Sequence, residues 1–187
     1  MRRLSFLPFP APVLATPPAL QLLAHAVGHA CPNGGVPSGK AILEALRVAA
    51  RTPDLLDDAQ RAGSDMAYVR HVVHADSLER FTVLALVWRP GQFSPVHWHH
   101  SWCAYAVVSG LLEETGYDWH EAAGRATTSM RRERAEGDAS FAIAGSARIH
   151  RLGNGGAREA ISLHVYGVAA ARIATGVNRV VDPLAVG

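Results

Sequence analysis

The spacing of apolar residues changes once along the chain, near residue 65. From about residue 17 to residue 62, apolar residues recur at intervals of three and four, the spacing of amphipathic helices. The first helical segment contains Leu20, Leu22, Leu23 and Val27, and the second contains Ala41, Leu43, Leu46 and Val48. Between them, residues 31–39 are rich in Gly and Pro and predict a break.

Beyond residue 66 the chain consists of short segments of β-favouring residues, most of them separated by Gly or Pro. Eight extended segments are predicted: 67–75, 81–88, 103–109, 111–119, 126–130, 140–143, 147–152 and 160–168. Helices followed by short strands predict a mainly β protein, with a small barrel or sandwich over about residues 66–170 and the helices packed against it. The length is near that of one domain, so we expect residues 1–187 to form a single domain.

The N-terminal region is apolar and uncharged between residues 4 and 39. Five prolines between residues 8 and 18 interrupt it too often for a membrane helix or a helical export signal. We therefore predict an extended arm and no membrane association, with export as the minor alternative. Cys31 and Cys103 are the only cysteines and form no disulfide framework, which is typical of a protein in a reducing cytoplasm.

Composition and charge argue against a disordered protein and against a nucleic-acid-binding protein. Hydrophobic residues make up 49% and charged residues 18%, as in a globular protein rather than a disordered one. The densest basic group, Arg131, Arg132 and Arg134, is interleaved with Glu133 and Glu136 and predicts a solvated edge. With a formal net charge of only +2, we expect no nucleic-acid partner.

His97 and His99 are the first candidates for chemistry. Residues two apart on a strand point to the same face, so both imidazoles are placed to share one metal ion. The alternative is a pair of solvated strand histidines, and His100 beside them shows that this stretch is simply rich in histidine. The spacing alone leaves both interpretations open.

The residues around this pair follow a longer pattern. Gly91 lies six residues before His97, and Gly110 lies eleven residues after His99. This run resembles the first motif of the cupin superfamily: Gly, five residues, His-x-His, three or four residues, Glu, six residues, Gly. Every spacing agrees, and one residue departs, because Cys103 stands where the usual cupin has a metal-binding Glu. The resemblance implies a jelly-roll β-barrel that holds a metal ion.

A second cupin motif is matched by Gly137, Gly145, His150 and Asn154, in that order. Ile143 replaces the central Pro of the motif, and the interval from Gly145 to His150 is two residues longer than usual. The match implies that His150 is the third metal ligand. Two separate motifs in the right order are stronger evidence than either motif alone.

The missing Glu indicates which cupins the chain resembles. Thiol dioxygenases, the family of cysteine dioxygenase and 3-mercaptopropionate dioxygenase, hold iron with three neutral histidines and no carboxylate. The resemblance implies Fe²⁺ on His97, His99 and His150. Without a carboxylate ligand, three coordination positions are left for a substrate thiolate, a second substrate donor and O₂.

The resemblance continues in Ser162, His164 and Tyr166, which match the family's Ser-x-His-x-Tyr strand. Alternation puts these three side chains on one face of a strand and apolar residues on the other, as expected of a strand that lines a lumen. The family resemblance implies that Tyr166 donates a hydrogen bond near the metal, with His164 and Ser162 behind it. An ordinary half-exposed strand is the alternative.

Tyr68 and Arg70 match the family's Tyr-x-Arg segment, in which the arginine binds the substrate carboxylate. A planar guanidinium pairs bidentately with a carboxylate; a surface arginine on an edge strand is the alternative. Cys103 is ambiguous: mammalian members form a thioether between a cysteine and the tyrosine matched by Tyr166, but that cysteine lies seven residues after the first ligand, and Cys103 lies six after His97. We expect the crosslink to be absent or minor.

The function implied is that of an iron(II) dioxygenase that oxidises a small thiol carboxylate with O₂, with L-cysteine as the first candidate. Other mercapto acids, such as 3-mercaptopropionate and mercaptosuccinate, are alternatives because Arg70 recognises a carboxylate and not an amine. A metal-binding cupin without dioxygenase activity is a further alternative, although an isomerase or decarboxylase would ordinarily keep the Glu. An oxidase of cysteamine or of N-terminal cysteine would have little use for Arg70. The sequence does not predict the oligomeric state.

Overall fold

The computed structural model describes residues 16–33 and 35–183. The described residues form two α-helices, Pro18–Ala30 (α1) and Gly39–Ala50 (α2). Neither is long and apolar enough to cross a membrane. Most of the predicted N-terminal arm, residues 1–15, lies outside the described residues.

Ten β-strands follow the helices in the described part of the chain. They are Val69–Ala75 (β1), Thr82–Trp88 (β2), His97–His99 (β3), Cys103–Ser109 (β4), Leu111–His120 (β5), Arg125–Ala135 (β6), Ala139–Ala142 (β7), Ile149–Gly153 (β8), Ala160–Tyr166 (β9) and Asn178–Val180 (β10). Three short 3₁₀ helices, Glu121–Ala123, Ser146–Arg148 and Ala170–Arg172, lie between strands.

The strands form two five-stranded antiparallel sheets. The first has the order β1-β2-β9-β4-β7, and the second has the order β10-β3-β8-β5-β6. Side chains of β2, β4, β5 and β8 meet in one apolar cluster, so the two sheets enclose a common interior. The predicted mainly β class with helices packed against the strands is confirmed, whereas the single-domain expectation stays a prediction.

The two helices cover the outer face of the first sheet. Leu20, Leu23 and Val27 of α1 and Ile42 and Leu46 of α2 are buried against outward-facing residues of β2, β4 and β9. Every residue of β2 and of β9 is therefore buried, because one face meets the helices and the other faces the interior. For the same reason the sequence of β2 is apolar at nearly every position and does not alternate between apolar and polar residues.

Several predicted boundaries are wrong. The helical part ends at Ala50, and residues 51–62 form turns; Pro53 disfavours a helical conformation at the residue before it. Residues 146–148 form a 3₁₀ helix rather than a strand. The strands β3 and β10 have only three residues each, too few to show a periodicity, and were not among the predicted segments.

The predicted solvated edge needs a further correction. The strand β6 runs on to Ala135, so the charged residues 131–134 belong to an edge strand. Arg131 is 68% exposed, as expected, but the Arg134 side chain is only 15% exposed. Alternation along the strand sends Arg134 inward.

Candidate metal centre

Three histidines converge in the interior between the sheets. His97 and His99 leave β3 on the same side, and His150 on β8 is the direct cross-strand partner of His97. One ligand nitrogen from each ring lies within 4.8 Å of the others. The predicted convergence of these three residues is confirmed, and His97 and His99 are not solvated, because their exposed fractions are 4% and 3%.

The far side of each ring is fixed by a hydrogen-bond acceptor. Nδ1 of His97 lies 2.8 Å from the carbonyl oxygen of Pro95, and Nδ1 of His99 lies 2.8 Å from Oδ1 of Asn178 on β10. Nδ1 of His150 lies 3.1 Å from Oε1 of Glu114 on β5. An acceptor at Nδ1 keeps the proton there, so the lone pair of each Nε2 is left for a metal ion.

The interior also keeps the rings of His97 and His99 neutral, as a metal ligand must be. Burial lowers the pKa of His97 to about 4, and repulsion by His150 acts in the same direction. Burial lowers the pKa of His99 well below its usual value, with further repulsion from His97 and His150. A neutral imidazole is the form that binds a cation.

The nitrogen positions fit a metal ion. The Nε2 atoms of His99 and His150 are 3.2 Å apart. Metal–nitrogen bonds of about 2.1 Å that meet at right angles place two nitrogens about 3 Å apart. Among the described residues no carboxylate joins this group, because Cys103 occupies the position of the usual cupin Glu.

Glu114 acts on the metal centre from behind His150. Its Oε2 accepts hydrogen bonds from Nε and Nη2 of Arg134, at 2.8 and 2.5 Å. Burial acts to raise the pKa of Glu114, but the hydrogen bonds from His150 and Arg134 outweigh it and hold the pKa at about 2. An ionised carboxylate therefore faces the protonated Nδ1 of His150, which makes this ligand more electron-donating.

A row of hydrogen-bonding side chains lies beside the three histidines. Nε1 of Trp88 donates to Oγ of Ser162 at 2.9 Å, and this Oγ lies 2.8 Å from Nε2 of His164. Nδ1 of His164 lies 3.3 Å from the Tyr166 hydroxyl. Burial lowers the pKa of His164 to about 3, with further repulsion from His150, so this ring is neutral. The predicted alternation on β9 is present, whereas the roles of these residues stay predictions.

Cys103 is the direct cross-strand partner of Tyr166 in the β4–β9 ladder. The thiol and the phenol are close enough to form a hydrogen bond. Burial raises the pKa of both groups. The shorter spacing from His97 therefore does not displace the sulfur from the tyrosine, because the register of the β4–β9 ladder sets the distance. The absence of the crosslink stays a prediction.

Tyr68 and Arg70 lie at the edge of the first sheet, where Tyr68 is half-buried and Arg70 is exposed. Both line a small cavity of about 20 Å³ that also contacts His97, His99 and Tyr166. The Tyr68 ring stacks on Trp88 with 4.3 Å between the ring centroids. Arg70 has no acidic partner within 4.0 Å among the described residues. Its guanidinium is therefore free to bind an anion in this cavity.

Sequence reasoning missed Glu114, Arg134, Asn178 and Trp88. One signal was available for Glu114, because on the predicted strand 111–119 it shares a face with the apolar Leu112. A carboxylate on an inward face needs a partner. Asn178 had no such signal, because it lies on a strand of three residues far along the chain.

Solved structures resemble this chain at low identity. A Klebsiella pneumoniae protein with a double-stranded β-helix domain is 20% identical, with a TM-score of 0.49, over 64% of this chain and 89% of that one. A Thermus thermophilus protein is 24% identical, with a TM-score of 0.45, over 60% and 96% of the two chains. A cupin superfamily protein from Desulfitobacterium hafniense is 11% identical, with a TM-score of 0.46, over 63% and 93%.

A family model described as cysteine dioxygenase type I matches residues 60–174. This range is more than half of the chain and contains all three converging histidines. It also contains Arg70 and Tyr166. The two sheets and the helices packed against them form the expected cupin fold. The chain therefore belongs to the cysteine dioxygenase type I family, a family of enzymes within the cupin superfamily.

Proposed function

We propose that the protein is an iron(II)-dependent dioxygenase that adds both atoms of O₂ to the sulfur of a small thiol carboxylate, with L-cysteine as the first candidate. One observation carries the proposal. A centre of three histidines without a carboxylate ligand shares a cavity with Arg70, which has no acidic partner among the described residues. The first feature suits an anionic sulfur ligand, and the second suits the carboxylate of the same molecule.

The reaction balances without a further reductant. A thiolate and O₂ give a sulfinate, in which sulfur has lost four electrons and O₂ has gained them. When bound by His97, His99 and His150, iron(II) supplies a positive charge for the thiolate and the electron transfer that O₂ requires. The neutral ligand set leaves that charge uncompensated, which favours an anionic substrate over a neutral one.

The row that begins at Trp88 supports a hydrogen-bonding role for Tyr166. The indole N–H only donates, so it occupies a lone pair of Ser162 Oγ. If Ser162 then donates to His164 Nε2, the Nδ1 proton of His164 is directed to the Tyr166 oxygen. Each group in this row of hydrogen bonds donates to the next, and the hydroxyl proton of Tyr166 is left for the substrate or for O₂. Such a chain polarises every donor in it.

Substrate choice is tested by replacing Arg70 in iron-loaded protein and measuring oxygen uptake. L-cysteine, 3-mercaptopropionate and mercaptosuccinate carry a carboxylate, whereas cysteamine does not. Arg70→Ala is expected to raise KM for the carboxylated thiols by about 30-fold, equivalent to about 2 kcal/mol, because a guanidinium–carboxylate pair is lost. This is the lower end of the usual range, because Arg70 is exposed on one side. Cysteamine turnover is expected to change little.

Arg179→Gln is the matched control, since Arg179 is an exposed residue of β10 that does not line the Arg70 cavity. It should leave every KM unchanged. If cysteamine is the best substrate, or if Arg70→Ala affects all thiols equally, the carboxylate role of Arg70 is wrong. Comparison of cysteine with the two mercapto acids at matched iron loading then identifies the preferred thiol.

A further inference from the structure

A second and larger cavity is lined by two of the three histidines, His99 and His150. It has a volume of about 250 Å³, against about 20 Å³ for the Arg70 cavity. It opens between the edge strands β6 and β7, which belong to different sheets, and we call it the β6/β7 cavity. His99, Cys103, Tyr105 and His150 line both cavities, so the metal centre is bordered by the two together.

Tyr105 is a buried residue of the β6/β7 cavity whose hydroxyl lacks a hydrogen-bond partner in the described part of the chain. Tyr105 is only 2% exposed, and its hydroxyl has no hydrogen-bond partner among the described residues. The hydroxyl lies near Glu114 and Arg134 but is not in hydrogen-bonding geometry with either group. A buried hydroxyl without a partner is costly, so its presence indicates a ligand that supplies the missing acceptor.

Two guanidinium groups at the mouth of the cavity also lack acidic partners. Neither Arg132 on β6 nor Arg148 on the 3₁₀ helix lies within 4.0 Å of a carboxylate of the described residues. Arg132 contacts only the Met130 sulfur, at 3.5 Å. The cavity holds one further acid, Asp118, which is exposed. Arg134, which lies behind the lining, offsets the charge of Glu114, and Asp118 offsets one of the two free guanidiniums, so a net charge of +1 remains around the cavity.

We infer that the β6/β7 cavity is a second ligand subsite of the metal centre and binds an anionic arm of the substrate, with Arg132 and Arg148 at the mouth and the Tyr105 hydroxyl inside. This inference rests on the proposed function and narrows its substrate class. A thiol with two carboxylates pairs one of them with Arg70 and the other with Arg132 and Arg148, whereas a thiol with one carboxylate pairs with Arg70 alone. The preferred substrate is therefore a thiol that carries two anionic groups, so this inference ranks mercaptosuccinate ahead of L-cysteine within the proposed substrate class.

Two thiols that differ by one carboxylate test the inference. Mercaptosuccinate is 3-mercaptopropionate with a second carboxylate on the sulfur-bearing carbon. Oxygen uptake by the parent is expected to show a higher kcat/KM for mercaptosuccinate, by about 10-fold or more. In the double variant Arg132→Gln/Arg148→Gln this preference is expected to disappear, while kcat/KM for 3-mercaptopropionate stays the same. An equal effect on both thiols, or no effect, overturns the inference.

Arg131→Gln is the matched control, because Arg131 lies beside Arg132 on β6 but points away from the cavity and pairs with Glu113. It should leave the preference for mercaptosuccinate intact. Tyr105→Phe separates a ligand contact from a structural role. Since the hydroxyl has no partner in the protein, this variant should unfold at the same or a higher denaturant concentration. Its affinity for the dicarboxylate should nevertheless fall by about 10-fold; unchanged affinity overturns the role of Tyr105.

Calorimetry separates failure of the subsite from failure of the proposed function. Succinate and propionate are titrated into iron-loaded protein without O₂, so that no turnover is needed. Succinate is expected to bind the parent more tightly than propionate does. The double variant is expected to bind succinate and propionate with equal affinity. If no thiol is oxidised but succinate shows this pattern, the subsite stands and the proposed reaction is wrong. If succinate binds the parent and the double variant alike, the subsite is wrong whatever the reaction.

Discussion

The carboxylate of Glu114 offers a test of how the protein controls its metal ion from behind a ligand. In Glu114→Gln the side chain keeps its size, but the negative charge that faces His150 is lost. Hydrogen-bond partners of this kind typically change metal affinity by about 10- to 100-fold, which corresponds to about 1.4–2.7 kcal/mol. We therefore expect weaker metal binding by the variant, although Glu114 does not belong to the group of metal-binding histidines.

The same change should destabilise the metal-free protein for a different reason. The side chains of Glu114 and Arg134 are 9% and 15% exposed, so the pair is largely removed from water. Removal of one partner of a buried ion pair costs about 3–5 kcal/mol, because the other charge is left uncompensated. Partial exposure of Arg134 favours the lower end, about 3 kcal/mol.

Two measurements separate these effects. Competition with a chromophoric chelator under anaerobic conditions gives the affinity for iron(II), and denaturant unfolding of the metal-free protein gives stability. The double variant Glu114→Gln/Arg134→Gln should recover most of the lost stability, because no unpaired charge remains. It should not recover the metal affinity, because His150 still faces an amide instead of a carboxylate.

Glu113→Gln is the matched control on the same strand. Glu113 points the other way and pairs with the exposed Arg131 at 3.4 Å. Surface pairs contribute about 0–1 kcal/mol, so this variant should unfold and bind iron like the parent. If Glu114→Gln also behaves like the parent in both assays, the reasoning about the buried carboxylate is refuted.

Three further predictions concern the interior. Tyr166→Phe should lower turnover, or the coupling of O₂ uptake to sulfinate, by about 10- to 100-fold while iron content by elemental analysis stays the same; equal activity would make the tyrosine structural only. Intact mass should show no loss of two hydrogens from Cys103 and Tyr166, because burial raises the thiol pKa and thiolate is scarce; a quantitative loss would contradict this. Burial holds the pKa of His97 near 4 and that of His164 near 3 in the folded protein, against a pKa of 6.5 in the unfolded chain. Below pH 6.5 the unfolded chain therefore binds more protons than the folded protein. The free energy of unfolding of the metal-free protein should fall as the pH is lowered below 6.5. Each histidine adds up to about 1.4 kcal/mol per pH unit in denaturant unfolding, and the exposed His100→Gln should leave the slope unchanged.

The sequence by itself identified the three histidines that converge in the structure. His97 and His99 are two apart, which places them on one face of a strand wherever that strand lies. The same alternation placed Ser162, His164 and Tyr166 together. These predictions depend on local geometry, which the backbone fixes over a few residues. The third ligand, His150, came from a resemblance to the second cupin motif and not from local geometry.

Only the tertiary structure decided which groups act on the metal centre from outside it. The partner of Glu114 is Arg134, which lies one step diagonally across the β5–β6 ladder, opposite Leu112. That register depends on an irregularity near Gly116, so no spacing in the sequence gives it. The charged residues of β6 were for this reason predicted to be a solvated edge, although one of them faces the interior.

The relation between Cys103 and Tyr166 shows the same limit. Their separation in the sequence says nothing about their distance, because they lie on different strands and the ladder register brings them opposite each other. The β6/β7 cavity, too, depends on the tertiary structure, because residues from the edge strands of two different sheets line it together with Tyr105. Residue types and short spacings determined the chemistry available to this protein. The pairing of strands far apart in the chain decided which of these side chains form ion pairs and which are left without a partner. Such long-range contacts are set by the packing of the whole fold.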